Sequence, residues 1–219
     1  MIRIDLQFFG GRGASSGGGA TGGLSGADIL DTRSLISERE GNQALVDETL
    51  AVFSDVYDEY GSQVEDIQLA TLKAGSNALA YYDANGNIAI NEQYFNSGAM
   101  DAAYARCVAS GFHPSNGSKT AMQAVVAHEL GHKLTADVGA KLGQAGFSNI
   151  DSAATHIVNQ ARGKTSAKAF RAKISGYAKK NDAETVAEAF SDVFCNGSKA
   201  KSESRAIVNV LNGYLKGGN

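Results

Sequence analysis

TAMQAVVAHELGHKL, residues 120–134, is a run without proline and with a single glycine, in which apolar and small residues recur at helical spacing. It predicts a helix, and on a helix side chains four positions apart lie one turn apart on the same face. His128 and His132 therefore project together from a stripe that also holds Ala121 and Val125. The segment predicts a helix that presents two imidazoles side by side.

Residues 128–132 form the pattern His-Glu-x-x-His, which has the spacing of a zinc-binding helix. Two neutral imidazoles can supply two of three protein ligands to Zn²⁺, and the intervening Glu129 then remains available as a base for a water that the metal activates. The alternative is that His128 and His132 are core histidines hydrogen-bonded to backbone groups. A third ligand distinguishes between these two interpretations.

A second predicted helix, residues 182–195, supplies the best candidate for that ligand. Asn181 is a favourable N-cap with Glu184 three residues later, and an Asn-Gly pair follows the last turn. Its apolar stripe consists of Ala183, Val186, Ala187, Phe190, Val193 and Phe194. Glu184 falls at the border of this stripe and Glu188 further out, and burial of Glu184 is costly without a cation. The alternative is that both carboxylates form a solvated acidic edge.

Three other side chains are weaker candidates for the third zinc ligand. Cys107 lies upstream of the motif and could complete a Cys/His/His site, as in deformylase-like enzymes. His113 precedes Pro114 in a loop-like run, and His156 lies in a polar segment. We therefore predict that both of these histidines are exposed rather than ligating.

The histidine motif, Tyr177 and, seven residues further on, Glu184 resemble the anthrax lethal factor-like zinc peptidases, a gluzincin group that includes secreted Pro-Pro endopeptidases. The resemblance covers roughly residues 78–195 and depends on two short motifs. It implies three zinc ligands: His128, His132 and Glu184. It also implies Glu129 as general base, Tyr177 as oxyanion donor and Glu188 as a carboxylate that orients a ligand histidine. Without the resemblance, Tyr177 is equally well explained as a tyrosine packed on a helix.

The remaining patterns predict an α+β fold. Helical spacing of apolar residues predicts a helix over residues 43–60. Alternation from Ile67 to Leu72, and two short apolar runs on either side of Asp83-Ala84-Asn85-Gly86, predict a small mixed sheet with a β-hairpin. Further helices are predicted at residues 119–134, 166–179, 182–195 and 202–214. We expect the sheet to pack on a mainly helical lobe that bears the motif helix, an arrangement that the resemblance makes zincin-like. A cleft between them would accept the substrate as an added strand.

The N-terminal region differs in composition from the rest of the chain. Residues 10–26 are mostly Gly, Ser and Ala, which predicts a flexible tail over residues 1–30 and one metallopeptidase domain over residues 31–219. Residues 1–9 have charges within a short apolar stretch, so we do not predict a signal peptide. The run LQFFGGRG, residues 6–13, resembles the termini of tailed-phage head and head-assembly proteins. That resemblance suggests a phage or prophage origin, contacts with particle proteins through the tail, and a location in the host cytoplasm or the virion.

Composition excludes several other classes of function. A net charge of -3 over 219 residues provides no basic surface for nucleic acid. No apolar run approaches the length of a membrane span, and Cys107 and Cys195 do not make a disulfide framework.

Two functions remain, both with a metal site. The first is a zinc endopeptidase that acts on a protein or peptide substrate. The alternative is a phage head-associated structural or assembly protein with a non-catalytic metal site. A structural zinc site is normally closed by four protein ligands, so three ligands accompanied by Glu129 and Tyr177 favour the endopeptidase.

Overall fold

A computed structural model describes residues 28–143 and 150–217, in which a four-stranded sheet adjoins seven α-helices. The strands are β1 (Ile29–Ser34), β2 (Ile67–Leu72), β3 (Ala80–Tyr82) and β4 (Ile88–Asn91). The helices are α1 (Arg39–Tyr60), α2 (Ser97–Ala109), α3 (Ala121–Lys141), α4 (Ile150–Arg162), α5 (Ala167–Ile174), α6 (Asp182–Asn196) and α7 (Ser202–Leu215). This architecture confirms the predicted α+β class. None of the described helices is both long and apolar enough to cross a membrane.

The sheet is mixed, with the strand order β1-β2-β4-β3. β2 and β4 are parallel, whereas β1 pairs with β2 and β3 with β4 in antiparallel register. The predicted hairpin is therefore present, and the Asp83 carboxylate closes its turn by accepting the backbone N–H groups of Asn85 and Asn87 at 2.8 and 2.9 Å. β3 lies at the end of the sheet and packs against α3.

α6 is surrounded by other helices, because α3, α4 and α7 all pack against it. Its three inner carboxylates, Glu184, Glu188 and Asp192, are consequently buried. Asp192 accepts the Asn196 side-chain amide at 2.9 Å and the Lys201 backbone N–H at 3.0 Å. The alternative of a solvated acidic edge is therefore wrong.

The backbones of α3 and α6 touch where the two helices cross. A Cβ atom at Gly131 would lie 2.7 Å from the Cα of Ala187, so only glycine fits at this position without a shift. Near the same crossing, the Ser191 hydroxyl donates to the Ala124 carbonyl at 2.8 Å. The close approach brings the histidine-bearing face of α3 directly onto the first turns of α6.

Several predicted boundaries differ from the structure. The helix predicted over residues 166–179 ends at Ile174, because Ser175 is extended and residues Tyr177–Lys179 form a separate 3-10 turn. The Ser175 hydroxyl accepts the Ala178 backbone N–H at 2.9 Å, which favours this break. α2, α4 and β1 were not predicted. β1 begins at Ile29, just inside the predicted tail, and the rest of that prediction lies outside the described residues.

Candidate metal centre

Two helices bring the three candidate ligands together. α3 carries His128 and His132 against α6, and α6 carries Glu184 in its first turn. The side-chain oxygen of Asn181 accepts the Glu184 backbone N–H at 2.8 Å, so Asn181 is the N-cap, as predicted. This cap fixes where α6 begins and therefore the level at which the Glu184 carboxylate meets the two imidazoles.

The candidate ligand atoms have the spacing of a tetrahedral metal site. Glu184 Oε2 lies 3.3 Å from His128 Nε2 and 3.4 Å from His132 Nε2. One ligand atom from each residue lies within 4.8 Å of the other two. Atoms about 2.0 to 2.1 Å from a tetrahedral zinc ion are roughly 3.3 Å apart. This buried group could therefore hold a metal ion.

Charge and hydrogen bonding agree with that geometry. Burial raises the pKa of the Glu184 carboxyl, but the facing imidazoles of His128 and His132 outweigh burial and hold this pKa well below its usual range. Burial lowers the pKa of His132, which favours the neutral ring that binds metals. Among the described residues, His132 Nε2 and Glu184 Oε2 meet no partner with normal hydrogen-bond geometry. A divalent cation would satisfy both atoms, so the donor set fits a metal ion.

Glu188, predicted to orient a ligand histidine, lies one helical turn beyond Glu184 and contacts two imidazoles. Its Oε1 atom lies 2.9 Å from His128 Nδ1 and accepts a hydrogen bond from His113 Nδ1 at 2.8 Å. Burial raises the pKa of Glu188, but His113 and His128 outweigh it and bring the pKa to about 2. Burial alone lowers the pKa of His128, whereas Glu184 and Glu188 raise it to about 10. An ionised Glu188 at Nδ1 turns Nε2 of His128 toward Glu184.

His113 is the site residue that the sequence interpretation missed. We predicted an exposed loop histidine, but its side chain is buried and its ring stacks on Tyr104 with the ring centroids 5.6 Å apart. The loop is fixed because Gly111 and Phe112 accept the backbone N–H groups of Gly176 and Tyr177 at 2.8 and 2.9 Å. Phe112 and Pro114, the two apolar residues that flank His113, are the sequence feature that indicates an inward-packed loop.

Tyr177 contacts Glu184 and also packs near two histidines, since its ring centroid lies 5.9 Å from that of His128 and 5.6 Å from that of His113. Its hydroxyl donates to Glu184 Oε1 at 2.9 Å, and Lys180 Nζ lies 3.1 Å from the same hydroxyl and 3.4 Å from Glu184 Oε1. Burial and the negative charge of Glu184 raise the pKa of Tyr177 far above its usual value. Tyr177 therefore remains a hydrogen-bond donor at any physiological pH.

Glu129 follows His128 on α3 and does not belong to the three-residue ligand group. Its side chain is fully buried. Burial raises its pKa to about 8, and the charges of Glu184 and Glu188 add to the rise, while His128 and the backbone of Tyr82 oppose it. A carboxylate with this pKa can both take up and release a proton near neutral pH.

Two rejected ligand candidates lie apart from this group. Cys107 is buried on α2, where burial raises the pKa of its thiol to about 11 and so disfavours the thiolate that binds metals. His156 is exposed on α4, as predicted, and its Nε2 atom lies 2.7 Å from the Tyr214 hydroxyl. Neither residue is part of the metal-binding group.

A groove of about 180 Å³ lies between the β3–β4 hairpin and α3. Tyr82 lines it from the hairpin, and Lys133 and Asp137 line it from α3, where they form an ion pair. Lys133 is four residues after Glu129, so this groove begins one helical turn from that carboxylate. Its lining includes neither Glu129 nor the candidate ligands, so the groove approaches the candidate centre without opening onto it.

Comparison of the chain with protein-family models, with curated proteins and with solved structures finds no match. Any functional conclusion must therefore rest on the geometry of the buried histidine and glutamate group.

Proposed function

We propose that this protein is a zinc-dependent endopeptidase with a zincin-like arrangement of its catalytic helix. One observation carries the proposal: a buried group of two histidines and a glutamate is accompanied by a further glutamate, Glu129, that adjoins a ligand without being one. Structural zinc sites use four protein ligands, whereas catalytic sites use three and keep one position open. The group formed by His128, His132 and Glu184 has the composition of a catalytic site.

The surrounding residues suit hydrolysis of a peptide bond. When bound, zinc lowers the pKa of a water toward roughly 7 and polarises the scissile carbonyl. Glu129 takes a proton from the attacking water and passes it to the leaving amine, which its pKa of about 8 favours. Tyr177 stays protonated and can donate to the negative charge that develops on the carbonyl oxygen.

The hairpin brings one backbone edge close to the proposed base. The Leu79 carbonyl accepts the Asn91 N–H, and the Asp83 N–H donates to the Asn87 carbonyl. Because hydrogen-bonded positions alternate along an antiparallel strand, the backbone groups of Ala80 and Tyr82 point away from β4. A backbone hydrogen bond from Tyr82 lowers the pKa of Glu129, so this edge of β3 lies beside the proposed base. β3 is covered in this structure, because Ala80, Tyr81 and Tyr82 are at most 4% exposed, so an extended peptide could pair with this edge and pass Glu129 only if the covering residues move aside.

One observation favours the alternative of a phage structural or assembly protein with a non-catalytic metal. The side chains of His128, Glu129, His132, Tyr177 and Glu184 are all at most 4% exposed. A metal enclosed in this way would contribute directly to folding stability. In that case the N-terminal run that resembles phage head proteins would be the functional part of the chain.

Glu129→Gln separates the two functions, because it preserves size and all three proposed ligands. We expect unchanged zinc content and melting temperature, and a loss of about 10² to 10⁴ in turnover of a peptide selected from a library. Tyr177→Phe should lower turnover by roughly 10² to 10³. Glu184→Ala should lose the zinc, and Cys107→Ala should retain it.

The endopeptidase proposal is contradicted if Glu129→Gln has wild-type activity, or if zinc-loaded wild type cleaves no peptide. Zinc that stabilises the protein without supporting cleavage would then favour the structural alternative.

A further inference from the structure

We infer that Lys180 is a positioning residue that holds one oxygen of Glu184, so that Glu184 binds the metal through its other oxygen alone. This inference rests on the metal site of the proposed function, but not on peptide cleavage. Its consequence is that the open coordination position is preserved by a lysine at the margin of the site.

The two oxygens of Glu184 face different partners. Oε2 faces His128 Nε2 and His132 Nε2 at 3.3 and 3.4 Å. Oε1 contacts the Tyr177 hydroxyl at 2.9 Å and the Lys180 ammonium at 3.4 Å. A metal ion placed among the histidines is therefore offered one carboxylate oxygen, while two donors occupy the other.

Lys180 is anchored by its own surroundings. It directly precedes Asn181, the N-cap of α6, and its side chain reaches back to the first turn of that helix. Its ammonium also contacts the Tyr177 hydroxyl at 3.1 Å and lies 5.0 Å from the centre of the Tyr177 ring. The side chain is 31% exposed, whereas that of Glu184 is 4% exposed. Lys180 thus reaches the buried carboxylate from the solvent side.

Lys180 also gives the Glu184 carboxylate a charged partner. Tyr177 offers Oε1 of Glu184 a neutral hydroxyl, whereas Lys180 offers it an ammonium. Without Lys180, this oxygen of a buried carboxylate loses its contact with a positive charge. Oε1 can then rotate toward the metal and occupy the position that a catalytic site must leave open.

The test compares Lys180→Met with Lys180→Arg, and uses Lys179→Met as the matched control. Lys179 belongs to the same turn and is exposed, so its replacement removes the same charge without touching Glu184. Zinc affinity is measured by competition with a chromophoric chelator. The coordination of bound cobalt(II), used in place of zinc, is read from its visible absorption.

We expect Lys180→Met to bind zinc at least as tightly as wild type, because the variant removes a positive charge beside the ligand and frees Oε1 of Glu184 to bind as well. We also expect its cobalt(II) spectrum to lose intensity, because five-coordinate cobalt absorbs less than four-coordinate cobalt. Lys180→Arg and Lys179→Met should both resemble wild type. Retention of the wild-type cobalt(II) spectrum in Lys180→Met overturns the inference. Equal effects in Lys179→Met and Lys180→Met also overturn it, because they indicate a general charge effect.

The test of Lys180 can be decided independently of the proposed endopeptidase function. If wild type binds zinc but cleaves no peptide, the endopeptidase proposal fails and the positioning role of Lys180 is still decided by the cobalt(II) spectrum. If wild type binds neither zinc nor cobalt(II), the metal centre itself is wrong and the inference falls with it.

Discussion

Glu188 shows how one carboxylate oxygen can determine the geometry of a neighbouring site. Oε1 serves both His128 and His113, so the orientation of the proposed ligand depends on a residue 15 positions earlier in a loop. Removing His113 leaves an ionised, buried carboxylate with one fewer donor. A carboxylate that loses a donor is freer to move, and the imidazole that it orients moves with it.

We predict that His113→Phe weakens zinc binding by roughly 10- to 100-fold, because the phenyl ring retains the stacking on Tyr104 but lacks the Nδ1 donor. It should also lower the free energy of unfolding by about 1 to 3 kcal/mol, the cost of an unsatisfied buried polar group. The matched control is His156→Phe, at an exposed histidine, which should change zinc binding little. Titration with a competing chelator and urea unfolding measure the two effects. Equal zinc affinity in both variants would contradict the role assigned to His113.

At the scale of single residues, the sequence reveals those site residues whose relative positions are set within one helix. The separation of His128 from His132, and the cap of Asn181 on Glu184, are local and were predicted. The structure places all three candidate ligands together. The contributions of His113 and Lys180 depend instead on where a loop and a helix start meet α6. No spacing rule predicts such contacts.

The crossing of α3 and α6 sets the distance between the two halves of the ligand group. Histidines come from one helix and the glutamate from the other, so a change in helix separation moves Oε2 away from both Nε2 atoms. The glycine at the contact, Gly131, makes the small separation possible.

Gly131→Ala should therefore both destabilise the protein and weaken the metal site. The added methyl group would lie 2.7 Å from a backbone atom of Ala187, and overpacking of this kind costs about 1 to 3 kcal/mol. Gly213→Ala is the control, because a Cβ there meets no atom within 4 Å and helix propensity should stabilise it by up to about 1 kcal/mol. Thermal unfolding and zinc affinity should be measured for both. If Gly131→Ala behaves like Gly213→Ala, the backbones are not in contact.

The helices and strands that the sequence predicts have strong local patterns of apolar residues. In those that it misses, burial in the tertiary structure outweighs the local pattern. α2 contains Gly, Ser and several Ala residues, so its amphipathic signal is weak. α4 does have a buried apolar stripe, but the polar residues that alternate with it resemble those of an exposed segment. The break at Ser175 depends on backbone pairing with Gly111, a contact that is distant in sequence.

Across the whole molecule, the buried ionisable groups make stability depend on pH. Glu129 has a folded pKa of about 8, against an ordinary value of 4.5, and His128 has a folded pKa of about 10, against an ordinary value of 6.5. In both cases the folded protein retains a proton that the unfolded chain releases, so stability falls as pH rises toward the folded pKa. Glu188, with a folded pKa of about 2, affects stability only below its ordinary pKa of 4.5.

We predict that the melting temperature of the metal-free protein decreases between pH 7 and pH 9. His132 does not oppose this trend, because its lowered pKa affects stability only below about 6.5. Zinc should reverse the trend, since it displaces the proton from His128 and binds more tightly as pH rises. Melting curves recorded with a chelator and with zinc, over a series of pH values, test both parts. A metal-free melting temperature that rises over this interval would show that these groups are not buried as described.

The oxygen of Glu188 shared by two imidazoles also constrains how the sequence can diverge. A chain that replaces Glu188 by an apolar residue leaves His113 buried without its acceptor, and one that replaces His113 leaves Glu188 a buried anion with a single partner. Each change alone is costly, whereas the two together can be tolerated. Relatives of this chain should therefore retain or lose the pair 113 and 188 together, and such paired variation would identify them even where the rest of the sequence has changed.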